Sequence, residues 1–255
     1  MNRIQPLVDG DRDRSLANSA AQATEGASGA PHIELEGCHC IFTPKHYERN
    51  YAYPLIVWLH GPDDDERQVT RVMPHVSDRN YVAVGPRGTV VARRPGVGYR
   101  WVQSADEIER AERRVWNAIE DVRRWLNIAP RRIFLAGYEA GGTMAFRLAL
   151  SRPEAFAGVL SFGGQFPQSL RPLANLSSAR RMKIFLASGR EASEYSQAEV
   201  CRDLRLFHAA GMTVCLRSYP GGDDLTTCML ADMDRWIMEQ VAPQPVSHDE
   251  CSRRK

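Results

Sequence analysis

The sequence has 255 residues, of which 43% are hydrophobic and 25% charged, and its formal net charge is +2. This length supports one sizeable α/β core and excludes two domains of ordinary size. Acidic and basic residues are interspersed, so no field of one sign steers the chain to nucleic acid or an anionic membrane, and a small molecule or a protein is the expected partner.

The two ends of the chain differ in composition from the middle. Residues 1–31 are rich in charged and small residues without an apolar run, so we expect a disordered tail with no secretory segment and no membrane span. Residues 243–255 are polar and are also predicted to form a tail. A single domain over residues 32–242 and a cytoplasmic location are therefore expected, while nothing selects an oligomeric state.

The predicted elements alternate between short apolar strands and longer amphipathic helices. The segment EGCHCIFTP comes first and is expected to form an antiparallel edge strand. The later strand candidates are, in chain order, YPLIVWLH, NYVAVGP, RRIFLAG, AGVLSFGG, MKIFLASG and TVCLRSYPGG. Helical periodicity covers residues 66–76, 105–126, 141–150, 197–210 and 225–241. This alternation predicts an α/β fold with a mostly parallel sheet and helices on both faces.

Three further features concern packing and the surface. The stretch 86–101 is rich in Arg and Gly and follows a strand, so it forms either a lid over a site or an ordinary solvated insertion. Six cysteines lack a C-x-x-C pair and are expected to be reduced and mostly buried. One helical stripe is expected to pack in the core, and it consists of Val115, Ile119, Val122 and Trp125.

A sharp turn is predicted where the strand RRIFLAG meets the next helix. The spacing Gly137-Tyr138-Glu139-Ala140-Gly141 has the outline of a nucleophile elbow. In such a turn the central residue is forced toward unusual backbone angles, so that its side chain projects over the sheet. Here that central residue is Glu139.

Several segments resemble a known family. YPLIVWLHG, RIFLAGYEAGGTMAFRLALSRPEAFAGVLSFGG, KIFLASGREASEY and CLRSYPGGDD look like the carboxylesterase/phospholipase branch of the α/β-hydrolases. The resemblance implies that fold and a Ser-His-Asp triad. It places the nucleophile at Glu139, the acid at Ala192 and the base at Asp223, so all three expected residues are replaced. Glu191 and Glu194 are the alternatives for the acid's place.

The resemblance also implies positions for the oxyanion hole. One donor would come from the loop at Gly61 and Pro62, and the other from Ala140. Pro62 has no N–H, and losing one such donor typically costs about 10²–10³ in rate. No other histidine follows a predicted strand, so none is expected to act as the base, and His60 is expected to brace its loop. The residues expected beside a possible pocket are His60, Tyr138 and Asp224.

These substitutions lead to one main functional hypothesis and three alternatives. The main hypothesis is a pseudo-hydrolase that binds a small molecule or a partner without turnover, with no cofactor and no metal. The first alternative is an enzyme that uses Glu139 with Asp223 or Asp224 as a carboxylate pair with one raised pKa. The second is a Mg²⁺ or Ca²⁺ site built from the same three residues. The third is purely structural, with Glu139 and Asp223 capping helices.

Overall fold

The computed structural model describes residues 39–92 and 97–241. The predicted tails, and the domain boundaries placed at residues 32 and 242, lie outside the described residues. None of the helices within these ranges combines the length and the apolar character needed to cross a membrane.

Seven strands form the central sheet, in the order β1-β3-β2-β6-β7-β8-β9, and two more form a separate hairpin. The strands are β1 (His39–Phe42), β2 (Tyr53–Leu59), β3 (Val82–Pro86), β4 (Thr89–Ala92), β5 (Val97–Arg100), β6 (Ile128–Tyr138), β7 (Gly158–Phe162), β8 (Ile184–Gly189) and β9 (Val214–Tyr219). Only β1 runs antiparallel within the central sheet, against β3. The predicted antiparallel edge strand and mostly parallel sheet are confirmed.

Helices cover both faces of this sheet. They are α1 (Gln68–Val76), α2 (Ala105–Trp125), α3 (Ala140–Ser151), α4 (Leu176–Ala179), α5 (Gln197–Ala209) and α6 (Thr227–Val241), with a 3₁₀ turn at Pro153–Ala155. The helix α5 begins with a capping box in which Ser196 and Glu199 exchange hydrogen bonds, which explains its sharp start. The five predicted helices are therefore present, and α4 was not predicted.

The strand β2 shows why these apolar runs form buried strands. All seven of its residues are buried. Leu55, Val57 and Leu59 belong to one hydrophobic cluster, which includes residues of α2, α3 and α5. Ile56 and Trp58 belong to the other, which includes residues of α1 and α6. A strand covered on both faces needs apolar residues at every position, so its sequence is a continuous run without alternation.

Two packing predictions were wrong in part. Val115, Ile119 and Val122 are buried, but Trp125 is 67% exposed. Leu126, the extended residue directly after α2, packs against the core in its place. The cysteines among the described residues are not buried either: Cys40 and Cys215 are half-buried, and Cys201 and Cys228 are exposed.

The stretch 86–101 contains the hairpin β4–β5, which the sequence analysis did not predict. Its strands pair from Thr89 opposite Arg100 to Ala92 opposite Val97. The Thr89 hydroxyl donates a hydrogen bond to the Glu107 carboxylate, which attaches the hairpin to α2. The chain that leaves the hairpin passes beside the carboxyl ends of the central strands, where the site lies.

Candidate functional site

The turn between β6 and α3 has the strained geometry of an elbow. Glu139 has a φ of 47° and a ψ of −115°, a region that non-glycine residues rarely adopt. Its backbone N–H donates to the Phe162 carbonyl at 2.8 Å. A Cβ at Gly137 would overlap the backbone of Gly141, and one at Gly141 would overlap the Leu59 carbonyl. The two glycines therefore let the turn press against its neighbours.

The Glu139 side chain is half-buried and lines a cavity above the sheet. Burial raises the pKa of this carboxyl. The adjacent Tyr138 hydroxyl opposes that rise, whereas the nearby carboxylates of Asp223, Glu194 and Asp224 add to it. Glu139 therefore holds a proton more readily than an ordinary glutamate.

Asp223, at the position implied for the base, is bonded to the loop after β8. Its carboxylate accepts hydrogen bonds from the Ser193 N–H at 3.0 Å, the Ser193 hydroxyl at 2.7 Å and the Glu194 N–H at 3.0 Å. Partial burial disfavours its charged form, but these bonds and one from the Tyr195 N–H outweigh that effect and lower its pKa. Asp223 is thus a weaker base than an ordinary aspartate, and both of its oxygens accept hydrogen bonds.

The loop after β8 carries Ala192, at the position implied for the acid. Its neighbour Glu191 donates its N–H to the Gly221 carbonyl at 2.9 Å. Glu194 lines the cavity, and its carbonyl accepts a bond from the Gln165 amide at 2.7 Å. The loops after β8 and β9 are therefore joined by hydrogen bonds, with no imidazole between Asp223 and the elbow among the described residues.

The loop after β2 contains the positions implied for the first oxyanion donor. The Gly61 N–H donates to the Gln68 side-chain oxygen at 3.0 Å, and the same oxygen accepts from the Trp58 indole at 2.8 Å. Pro62 has no N–H to offer. Ala140 lies at the first position of α3 and lines the cavity. Neither Gly61 nor Pro62 therefore offers a donor to a ligand.

His60 is fully buried and braces this loop. Its Nδ1 lies 2.8 Å from the Gly61 carbonyl, and its Nε2 accepts a hydrogen bond from the Gly88 N–H at 3.1 Å. Burial lowers its pKa, which favours the neutral ring that this arrangement requires. His60 thus links the loop after β2 to the hairpin β4–β5.

Tyr138 and Asp224 flank the elbow without lining the cavity. The Tyr138 ring packs where a Cβ of Gly61 would lie, so Gly61 allows this close approach. The Tyr138 hydroxyl donates to the Asp223 carbonyl at 2.7 Å. His60, Tyr138 and Asp224 all lie outside the lining of the cavity, and no histidine of the described residues belongs to it.

The cavity beside the elbow has a volume of ≈ 710 Å³, a size typical of small-molecule sites. The helix α3 contributes one wall, the loop after β7 a second, and the segment between β5 and α2 a third. The lining residues are Gly61, Pro62, Arg100, Trp101, Val102, Gln103, Glu139, Ala140, Thr143, Arg147, Gly163, Gly164, Gln165, Phe166, Pro167, Gln168, Ser169 and Glu194.

Arg147, the buried cation of this cavity, was not predicted from the sequence. It is 8% exposed and lies on the same face of α3 as Thr143, one turn away. A sequence signal was present, because Arg147 is the one charged residue in the otherwise apolar run that follows the elbow. Buried arginines normally have a partner, so this position merited attention.

Two of the alternative roles of Glu139 and Asp223 find little support. Among the described residues, no group of three or more His, Cys, Asp or Glu side chains is placed to hold a metal ion. Glu139 occupies the cap position of α3 but makes no side-chain capping bond. Asp223 does not cap α6, because Thr226 does so by accepting the Met229 N–H at 3.3 Å.

Comparison with known proteins places this site on a widely used scaffold. No family model and no curated protein matches the chain. Three solved structures of similar fold are a carboxylesterase from Mesorhizobium loti (17% identity, TM-score 0.65, 84% of this chain and 99% of that one), SOBER1 from Arabidopsis thaliana (19%, 0.63, 75% and 100%) and the Bacillus cereus carboxylesterase (18%, 0.61, 79% and 93%).

These likenesses show that the chain has the α/β-hydrolase fold. The elbow, the strand order and the loops at the carboxyl ends of the strands all agree with that conclusion. Two of the three structures are carboxylesterases by name. At this level of identity the fold is shared, and the activity has to be argued from the site.

Proposed function

We propose that this protein is a pseudo-hydrolase, which binds a small molecule in the cavity beside the elbow and does not hydrolyse esters by Ser-His-Asp chemistry. The observation that carries the proposal is Glu139 in the strained central position of the elbow. A carboxylate there repels the oxyanion that an esterase must stabilise. It also leaves the elbow without a hydroxyl nucleophile.

The other positions of the expected triad support the same conclusion. The Asp223 carboxylate accepts three hydrogen bonds from Ser193 and Glu194, and its lowered pKa makes it a weaker base than an ordinary aspartate. Ala192 has no ionisable group. The Gly61 N–H is occupied by Gln68, which removes one oxyanion donor. Four features that ester hydrolysis needs are therefore altered together, whereas the scaffold is retained.

The proposal includes the partner and the compartment. An open cavity of ≈ 710 Å³ supports a small-molecule ligand over a nucleic acid or a membrane surface. Cys201 and Cys228 are exposed and free, which suits a reducing compartment such as the cytoplasm.

One observation favours a second candidate function, in which Glu139 is a general acid or base. Its raised pKa brings proton exchange closer to neutral pH than in an ordinary glutamate. The proposed partner Asp223 argues against a shared proton, because its pKa is lowered and its oxygens are occupied. Glu139 would then have to act without a second carboxyl.

A fluorophosphonate probe and a panel of p-nitrophenyl esters test the proposal on the full chain. We expect no covalent labelling and no turnover above that of the Glu139→Gln variant. The control is Glu239→Gln, an exposed position on α6. Ester turnover that disappears in Glu139→Gln and persists in Glu239→Gln would overturn the pseudo-hydrolase and establish the second candidate.

A further inference from the structure

Arg147 is a buried cation of the cavity wall that has no carboxylate partner among the described residues. It is 8% exposed and lies two turns along α3 from Glu139. Its Nε–H donates to the Gln103 side-chain oxygen at 2.5 Å, and its two terminal nitrogens donate to the Ser169 carbonyl at 2.8 Å and the Ser169 hydroxyl at 3.0 Å. All three acceptors are neutral.

Two half-buried arginines of this protein have carboxylate partners. Arg87 pairs with Glu66 through two nitrogens, and Arg71 pairs with Asp64. No carboxylate of residues 39–92 or 97–241 forms an ion pair with Arg147. Burial lowers the pKa of its guanidinium, with no opposing charge to offset that effect. Because a buried charge without a counter-charge is unfavourable, an anion that enters the cavity would gain an unusually strong interaction here.

The hydrogen bonds also leave donors for such an anion. A guanidinium has five N–H donors, and three of them are engaged by Gln103 and Ser169. One N–H on each terminal nitrogen is left without an acceptor in the described part of the chain. Each of these N–H groups can donate a charge-assisted hydrogen bond to an anionic oxygen.

The surroundings of Arg147 indicate the rest of the ligand. Trp101, Val102, Phe166 and Pro167 line the same cavity and provide apolar walls. At the elbow end the half-buried carboxyl of Glu139 disfavours a second negative group. A small organic acid with one carboxylate and an apolar body fits both conditions.

We infer that Arg147 anchors the carboxylate of a small apolar organic acid in this cavity. The inference rests on the proposed function and names the ligand class of the same site. The bonds to Gln103 and Ser169 then have a second role, since they hold the guanidinium in place before the ligand arrives. A guanidinium fixed in advance loses less conformational freedom on binding than a mobile surface arginine.

Calorimetric titration of the full chain with 3-phenylpropionate and with its neutral amide tests the inference. We expect the acid to bind about tenfold to a hundredfold more tightly than the amide, the difference that a charge-assisted pair of hydrogen bonds supplies. Arg147→Met should abolish this preference. Arg147→Lys, which keeps the charge and loses the fork, should retain a reduced part of it.

The matched control is Arg113→Met. Arg113 is exposed on α2, pairs with Glu109 and lies outside the lining of the cavity, so its removal should leave the preference in place. Equal losses in Arg113→Met and Arg147→Met would show a general effect of positive charge and overturn the inference. Equal binding of acid and amide to the wild type, or no binding of the acid, would overturn it without any variant.

If Arg147→Met does not fold, NMR of the wild type gives a second measurement, in which the Arg147 Nε–H resonance is followed during the titration. The resonance should shift on addition of the acid and remain in place with the amide. The outcomes also separate the two proposals. Ester turnover refutes the pseudo-hydrolase alone, whereas binding of the amide without preference for the acid refutes only the ligand class.

Discussion

The two ends of the cavity differ in how their polar groups are satisfied. At the elbow end, the Asp223 carboxylate is occupied by Ser193 and Glu194, and the Gly61 N–H is occupied by Gln68. At the other end, Arg147 has neutral partners only. The polar groups of Asp223 and Gly61 are thus engaged within the protein. The ligand site that we propose lies about two helical turns away, at Arg147.

The largest expected effect on stability comes from Gly137→Ala, which disturbs the elbow itself. The added Cβ would overlap the backbone of Gly141 and Gly142, where no flexible side chain can move aside. We expect a loss of about 3 kcal/mol or more in the free energy of unfolding, at the upper end of overpacking effects. Urea denaturation followed by circular dichroism measures it.

Gly222→Ala is the matched control for that substitution. A Cβ at Gly222 would meet only the Glu191 carbonyl, at 3.7 Å, an ordinary contact. We expect a change within about 1 kcal/mol. Equal losses of stability in both variants would show that close packing at the elbow is not the reason for glycine at position 137.

The elbow was predictable from sequence because its requirements are local. Glycine spacing and the order of strand and helix are properties of neighbouring residues, so Gly137 and Gly141 identified the turn. The exposure of Trp125 was not predictable in this way. The residue occupied a plausible stripe position, but the end of α2 turns Leu126 toward the core in its place.

The hydrogen-bond partners of the site residues were harder to predict from the sequence. Asp223 looked like a helix cap because it precedes α6, but the loop after β8 offers Ser193 and Glu194 as donors. These residues are 30 and 29 positions away along the chain. The neutral partners of Arg147 likewise come from separate loops, at Gln103 and Ser169. Such contacts depend on tertiary packing, which no local pattern encodes.

Asp223→Ala tests the hydrogen bonds that the Asp223 carboxylate accepts at the elbow end. It removes an acceptor from the Ser193 and Glu194 N–H groups, and we expect a loss of about 1–2 kcal/mol in the free energy of unfolding because the site is partly exposed. The folded-state pKa of Asp223 is lowered. Its contribution is therefore complete above the unfolded-state pKa of about 3.9 and disappears as the pH falls through the folded-state value.

Thermal unfolding of the wild type and of Asp223→Ala across the acidic range checks this dependence. The difference between them should be constant near neutral pH and shrink in strongly acidic buffer. Asp223→Asn keeps one acceptor oxygen and should lie between the two. A difference that does not change with pH would mean that hydrogen bonding to the charged form is not what stabilises the loops.

The smallest expected effect concerns the charge of Glu139, tested by Glu139→Gln. Its pKa is raised in the folded state, so above the unfolded-state value of about 4.3 the folded protein binds more protons than the unfolded chain. Wild-type stability therefore falls as the pH rises through this window. Glutamine does not ionise, and the variant should be more stable at neutral pH by about 0.5–1 kcal/mol.

The pH dependence separates charge from backbone strain at the same residue. Below the unfolded-state pKa the glutamate is neutral in both states, so the advantage of Glu139→Gln should vanish there. Glu139→Gly also relieves the strained φ of 47°, a conformation that costs about 1–3 kcal/mol for a residue with a side chain. Its advantage should persist in acid, because strain does not titrate. A Glu139→Gln variant with wild-type stability at every pH would show that the elbow holds the Glu139 carboxylate without electrostatic cost.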